Sequence, residues 1–168
     1  LAAPFTGYSG YRPVEKIVAA HPILADMAAL KLKPFPNPHR AHLAGARLVT
    51  IEAGKNLSYS TRELRVRAGE PIKLAFSNPD VVPHNWVLIR EGSLTRYGDR
   101  VNRIVAEPDA ALRHYVPASD DLIAYTDIVA PGESFTIEFR APAKPGKYPY
   151  LCSFPGHWMV MNGTLVVE

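Results

Sequence analysis

A single cysteine in 168 residues excludes a good deal at once. Cys152 has no partner in its own chain, so an internal disulfide framework is ruled out, as is any zinc or iron–sulfur site built from several cysteines. Long apolar runs are missing too. The nearest candidate, Ile17 to Leu30, is broken by His21, Pro22 and Asp26 and falls short of the ~18 uninterrupted residues that span a bilayer. No membrane span is expected. Charge of one sign is scarce: 19 basic against 16 acidic residues leave +3. Residues 1–47 hold six basic and two acidic side chains, and residues 48–168 hold thirteen and fourteen. A nucleic-acid binder concentrates positive charge on its folded body, and here that body is nearly neutral, so nucleic acid is not an expected partner. No initiating Met and no charged-then-apolar leader opens the chain. The expectation is a processed or excised piece, with an upstream domain in a longer precursor left open.

Proline and glycine are plentiful instead, at 16 and 11 residues, which favours many short elements joined by turns. In residues 1–46, Pro4, Pro13, Pro22, Pro34, Pro36 and Pro38 punctuate a stretch without strand-like alternation. A short helix from Pro22 would align Ile23, Leu24, Met27 and Leu30, and the run from Lys33 to Pro38 would stop it in an extended form. This stretch reads as an arm or linker that docks on a body spanning residues 47–168.

From Ala46 the pattern turns to period two. Leu64 and Val66 alternate with arginines, as do Ile72, Leu74 and Phe76 with their neighbours, and Phe135, Ile137 and Phe139 with theirs. Trp86 to Ile89 forms a short, wholly apolar run, Tyr148 and Tyr150 lead to Cys152, and Gly163 to Val167 closes the chain. Short strands between Pro/Gly turns predict an antiparallel β-sandwich. One interruption has helical spacing: Leu94, Tyr97, Val101, Ile104 and Val105 predict a helical insertion within about 93–115.

The chemistry concentrates in Cys152-Ser153-Phe154-Pro155-Gly156-His157-Trp158-Met159-Val160-Met161. A thiolate donor, an imidazole and a thioether follow one another as Cys-x4-His-x3-Met. Soft sulfur stabilises Cu(I), imidazole also binds Cu(II), and a trigonal His2Cys site with a weak axial Met suits copper. The second histidine is available at His84, where a turn feeds the apolar run. An inert core cysteine explains only one of these four residues. A catalytic Cys152–His157 pair would need an orienting acid and an oxyanion loop nearby, and the sequence offers neither.

With His84-Asn85-Trp86-Val87-Leu88, Cys152 to His157, and Met161-Asn162-Gly163-Thr164-Leu165 in place, the chain resembles the cupredoxins, the blue type 1 copper proteins, and most closely their azurin-like branch. The resemblance covers roughly residues 47–168, and nothing in residues 1–46 joins it. It implies an all-β Greek-key sandwich carrying a helical insertion and an N-terminal extension. It implies His84, Cys152 and His157 as strong copper ligands and Met161 as the axial one. Asn85 matches the residue that ties the two ligand loops and offers its backbone N–H to the cysteine sulfur, and Phe154 matches the second donor. Pro83 stands where azurins carry a glycine whose carbonyl approaches copper, so the proline ring restricts the backbone there. The implied function is one-electron transfer by a periplasmic or otherwise exported protein that is not itself an enzyme, with a redox partner such as a cytochrome or a copper enzyme. Val82, Pro155 and Trp158 are expected to form an apolar patch through which the electron leaves. Two alternatives stay open: a copper storage or delivery module, and the electron-relay domain of a larger exported oxidoreductase. The remaining histidines, His21, His39, His42 and His114, are assigned no metal role.

Overall fold

A computed structural model describes residues 36–168; the expected helix from Pro22 and most of the N-terminal arm lie outside the described residues. Among the described residues nine strands form two sheets: β1 (Arg47–Gly54), β2 (Ser58–Tyr59), β3 (Glu63–Val66), β4 (Pro71–Ser77), β5 (Val87–Ile89), β6 (Leu122–Tyr125), β7 (Ser134–Arg140), β8 (Gly146–Leu151) and β9 (Asn162–Val167). The four-stranded sheet runs β2-β1-β4-β7 and the five-stranded sheet β3-β9-β8-β5-β6. This is the all-β sandwich that the resemblance implies. Its sheets are mixed, however, whereas the sequence predicts an antiparallel arrangement. β1 pairs with β4 in parallel and β3 with β9 in parallel. The chain between β1 and β4 passes through β3, a strand of the opposite sheet, so no hairpin forces them antiparallel. Period-two patterning records which face is buried and carries no information on direction.

The alternating residues meet between the sheets. Ile51, Ile72, Leu74, Phe76, Ile137 and Leu165 are fully buried there, and each such side chain contributes roughly 1.5–3 kcal/mol by leaving water. Trp86 stacks between Tyr150 and Phe139, at 5.5 and 5.6 Å between ring centroids, and so bridges the two sheets. β5 reads as continuously apolar because both of its faces are covered. Trp86 and Leu88 point into the sandwich, while Val87 and Ile89 lie in a second cluster with Tyr97, Val101 and Leu151.

That second cluster is roofed by the insertion. Helix α1 (Leu94–Ile104) lays Tyr97 and Val101 on the sheet and also buries Ile104, and turns continue to Tyr115. Val105, assigned to the apolar stripe, lies just past the helix and is exposed. Arg96 clasps Asp121 through two hydrogen bonds of 2.7 and 2.5 Å and holds its carboxyl below the usual range. The tie is therefore complete above the ordinary carboxylate pKa and is lost as pH falls through the lowered value.

Gly98 sets how closely α1 approaches the ligand loop. A Cβ at Gly98 would lie 2.5 Å from the Trp158 ring. Replacing an exposed mid-helix glycine by alanine ordinarily gains ~1 kcal/mol; here the indole fills the space and the sign reverses. Gly98→Ala is expected to cost 1–3 kcal/mol as an overpacking change, read by urea unfolding. A gain in stability would show that Trp158 is free to move aside.

Residues 36–43 lie across the outer strands of both sheets. Asn37 donates to the Tyr125 carbonyl at the end of β6 (3.0 Å), Arg40 covers the Phe135 ring of β7 (4.8 Å), and the Leu43 amide donates to Glu138 of β7 (2.5 Å).

Candidate metal centre

The first ligand segment is a turn built by asparagine. The Asn78 side chain donates to the Val82 and Val129 carbonyls, at 2.8 and 2.9 Å, and accepts from the Asp80 amide at 3.1 Å. His84 follows, fully buried, and exchanges backbone hydrogen bonds with Val129 in both directions, at 3.2 and 2.7 Å. Its position is thus fixed by the main chain before its ring is considered.

The second segment runs from the end of β8 to the start of β9. Phe154-Pro155-Gly156-His157 folds as a β-turn: the His157 amide donates to the Phe154 carbonyl at 3.1 Å and Gly156 adopts φ +83°. Proline second and glycine third are what a type II turn selects, since only glycine takes that φ without strain. A further turn brings the Met161 amide to the His157 carbonyl at 2.8 Å. The Cys152 amide then closes the base on the Met161 carbonyl at 3.0 Å.

Asn85 joins the segments. Its Oδ1 accepts from the Ser153 amide at 2.8 Å, and its Nδ2 donates to Ser153 Oγ at 2.8 Å and to the His114 carbonyl at 3.1 Å. Tyr59 donates its hydroxyl to the Asn85 carbonyl at 2.7 Å. All but the bond to His114 are buried, so each of those keeps a polar group from being stranded.

The outcome is a compact set of donors. The ligand atoms of His84, Cys152 and His157 all lie within 4.8 Å of one another, and among the described residues they are the group able to hold a metal. Cys152 Sγ is 3.7 Å from His84 Nδ1 and 3.6 Å from His157 Nδ1. Bonds of ~2.0 Å to nitrogen and ~2.3 Å to sulfur, 120° apart, would separate such donors by roughly 3.7 Å. The residues therefore fit a trigonal His2Cys ion. Burial pushes the Cys152 thiol up to about 12, against hydrogen bonds from the Asn85 and Phe154 backbone that favour the thiolate. A cation must displace that proton to take the sulfur. Burial, helped by the neighbouring His84, lowers His157 to about 4, so its ring is a neutral donor at pH 7.

Met161 is fully buried at the end of the same loop, whereas Met159 is 66 % exposed. Pro83, Val82 and Pro155 are half-buried. Trp158, also half-buried, has its ring over Gly98 and donates its indole N–H to Asn102 at 2.9 Å. The large apolar side chains most open to solvent on these two segments are Val81, Met159 and Val160. His39 packs edge-on to Tyr125, and His42 pairs with Glu138 at 3.2 Å. His21 lies outside the described residues.

Three contributors escaped the sequence reading. Ser153 and the His114 carbonyl complete the Asn85 knot, and His114 holds φ +54° to do so. Asp80 read only as a turn residue, yet its Oδ2 lies 3.0 Å from His84 Nε2. The hydrogen bond from His84 holds its carboxyl below the usual range. The one sequence signal was a carboxylate four residues before a histidine, which on a turn is not diagnostic.

Comparison with known proteins places the chain among copper-binding proteins. Residues 46–168 match the family described as copper binding proteins, plastocyanin/azurin family. The chain is 35% identical to auracyanin-A of Chloroflexus aurantiacus over 130 residues, which is 74% of this chain and 78% of the relative. It is 33% identical to azurin iso-2 of a Methylomonas species over 127 residues, 71% of this chain and 95% of the relative. The solved structure of auracyanin A, described as a "blue" copper protein, superposes with a TM-score of 0.65 at 32% identity, covering 74% of this chain and all of that one.

Proposed function

This chain belongs to the plastocyanin/azurin family of copper-binding proteins and its cofactor is copper, and we propose that it carries single electrons through one mononuclear type 1 site. The observation that carries the reading is the buried trio of Cys152 Sγ, His84 Nδ1 and His157 Nδ1, spaced for a trigonal ion. When bound there, copper supplies a one-electron Cu(II)/Cu(I) couple.

The chain's own residues do the rest. His84, Cys152 and His157 would hold the ion, with the Met161 thioether as a weaker donor. The Asn85 and Phe154 amides point at the sulfur and draw electron density from it, which favours the reduced state. Backbone bonds at His84 and across the Cys152–Met161 loop fix the donors without the metal. Little therefore has to move when the charge of the centre changes, and a preorganised site keeps exchange fast. His157 is 9% exposed; its outer edge, framed by Val82, Pro155 and Trp158, is the exit toward an exported redox partner such as a cytochrome or a copper enzyme.

Copper itself is the test. One equivalent of Cu(II) should give an intense visible colour that ascorbate bleaches and a mild oxidant restores. Colourless binding would replace electron transfer by storage or delivery.

Met161→Leu is expected to keep the colour and raise the reduction potential by ~59 mV or more, a tenfold shift toward Cu(I). Removing a weak sulfur donor penalises Cu(II) more than Cu(I), and the near-equal volume spares the core. Voltammetry reads the shift. Met159→Leu should leave the potential where it was, and the reverse pattern would exchange the two assignments.

A further inference from the structure

The carboxylate of Asp80 has no part in the ligand set, yet it is aimed at the set from behind. Its Oδ2 lies 3.0 Å from His84 Nε2, the ring nitrogen opposite the one that faces Cys152. Its Oδ1 accepts the Val81 amide at 2.8 Å. The His84 side chain is fully buried and that of Asp80 is 14% exposed. Asn78, itself 1% exposed, holds the Asp80 amide and clamps the turn on either side of it.

Two donors thus converge on one side chain, and only a carboxylate offers two acceptor oxygens in that shape. Asparagine has the same outline, but it would present an amine to one of the two N–H groups. Because a carboxylate can only accept, Nε2 is the donor in this bond, and Nδ1 is the ring nitrogen left facing the sulfur.

We propose that Asp80 is a positioning residue for the copper centre: its carboxylate fixes the ring and proton of His84 and makes Nδ1 a stronger donor to Cu(II). This rests on the reading of His84 as a ligand. Outer carboxylates that take the second N–H of a ligating histidine raise its basicity, and their loss typically weakens metal binding 10–100-fold. An anion at this distance from the site also favours the more positive oxidation state. Asp80 therefore strengthens Cu(II) binding, and the reduction potential is lower for its presence.

Asp80→Asn and Asp80→Ala test this, with the tertiary signals of Trp86 confirming the fold in each. In metal-free wild type, proton NMR should show a far-downfield His84 Nε2–H that exchanges slowly with water. Asp80→Asn should shift that signal upfield or lose it. In both variants Cu(II) dissociation is expected to rise 10–100-fold, and the reduction potential to rise by about the 59 mV that a tenfold change in Cu(II)/Cu(I) partition represents. A Cu(II) affinity and a potential unchanged within twofold would overturn the proposal, whatever the proton signal does. Cu(I) added to wild type must also shift the His84 ring signals. If it leaves them unmoved, the ligand reading itself fails and takes this proposal with it.

Discussion

Cys152→Ser is expected to abolish the visible band and to weaken Cu(II) binding by more than the roughly 10–100-fold that loss of an outer partner costs a metal site. The colour requires charge transfer from a thiolate, and a serine hydroxyl supplies none. Nor will that hydroxyl ionise at neutral pH to replace the missing anionic donor. The fold should survive the change. The side chains are nearly isosteric, and the Asn85 and Phe154 amides that face the sulfur can bond a hydroxyl oxygen in its place. Absorption spectra of wild type and variant, each with one equivalent of Cu(II), decide the matter. A band that persists in the variant would remove Cys152 from the centre.

Asn85→Ala carries the other large effect, and it falls on stability. Three bonds disappear together, leaving the Ser153 amide and hydroxyl without these partners in the interior and the His114 carbonyl without its partner nearer the surface. A stranded buried polar group costs about 1–3 kcal/mol, and partial relaxation leaves roughly 3–5 kcal/mol for the set. Urea unfolding of the metal-free protein measures this without interference from copper binding. A loss under ~1 kcal/mol would mean that water replaces the amide and that the two segments hold together by other means.

The difference between these residues also marks what the sequence could convey. The strands were legible because burial imposes period two on Ile72-Leu74-Phe76 and Phe135-Ile137-Phe139, and the helix because Tyr97, Val101 and Ile104 repeat near 3.6. The candidate donors of the second segment were legible because Cys152, His157 and Met161 share one loop and the turn between them needs Pro155 and Gly156. Strand direction was not, since parallel β1/β4 and antiparallel β4/β7 bury the same alternate residues. Nor could spacing reveal Asp80 or the His114 carbonyl. Both act on a histidine or asparagine through tertiary contacts, the second across 29 residues by way of a main-chain oxygen that any side chain could accompany. The place of Trp158 is a similar case. Gly98 and Asn102, on an insertion more than fifty residues earlier, provide its seat.

The strip of chain at residues 36–43 bears on how the protein behaves in company. β6 and β7 are the last strands of their respective sheets, and an unpaired last strand is a template onto which another molecule can zip. Asn37, Arg40 and Leu43 occupy that border. Cutting the chain at residue 46 would spare the copper ligands and the sandwich interior alike. What it would remove is the cover over that border: the trimmed protein is expected to keep its colour, and light scattering that rises with its concentration would show the bared strands pairing with other molecules.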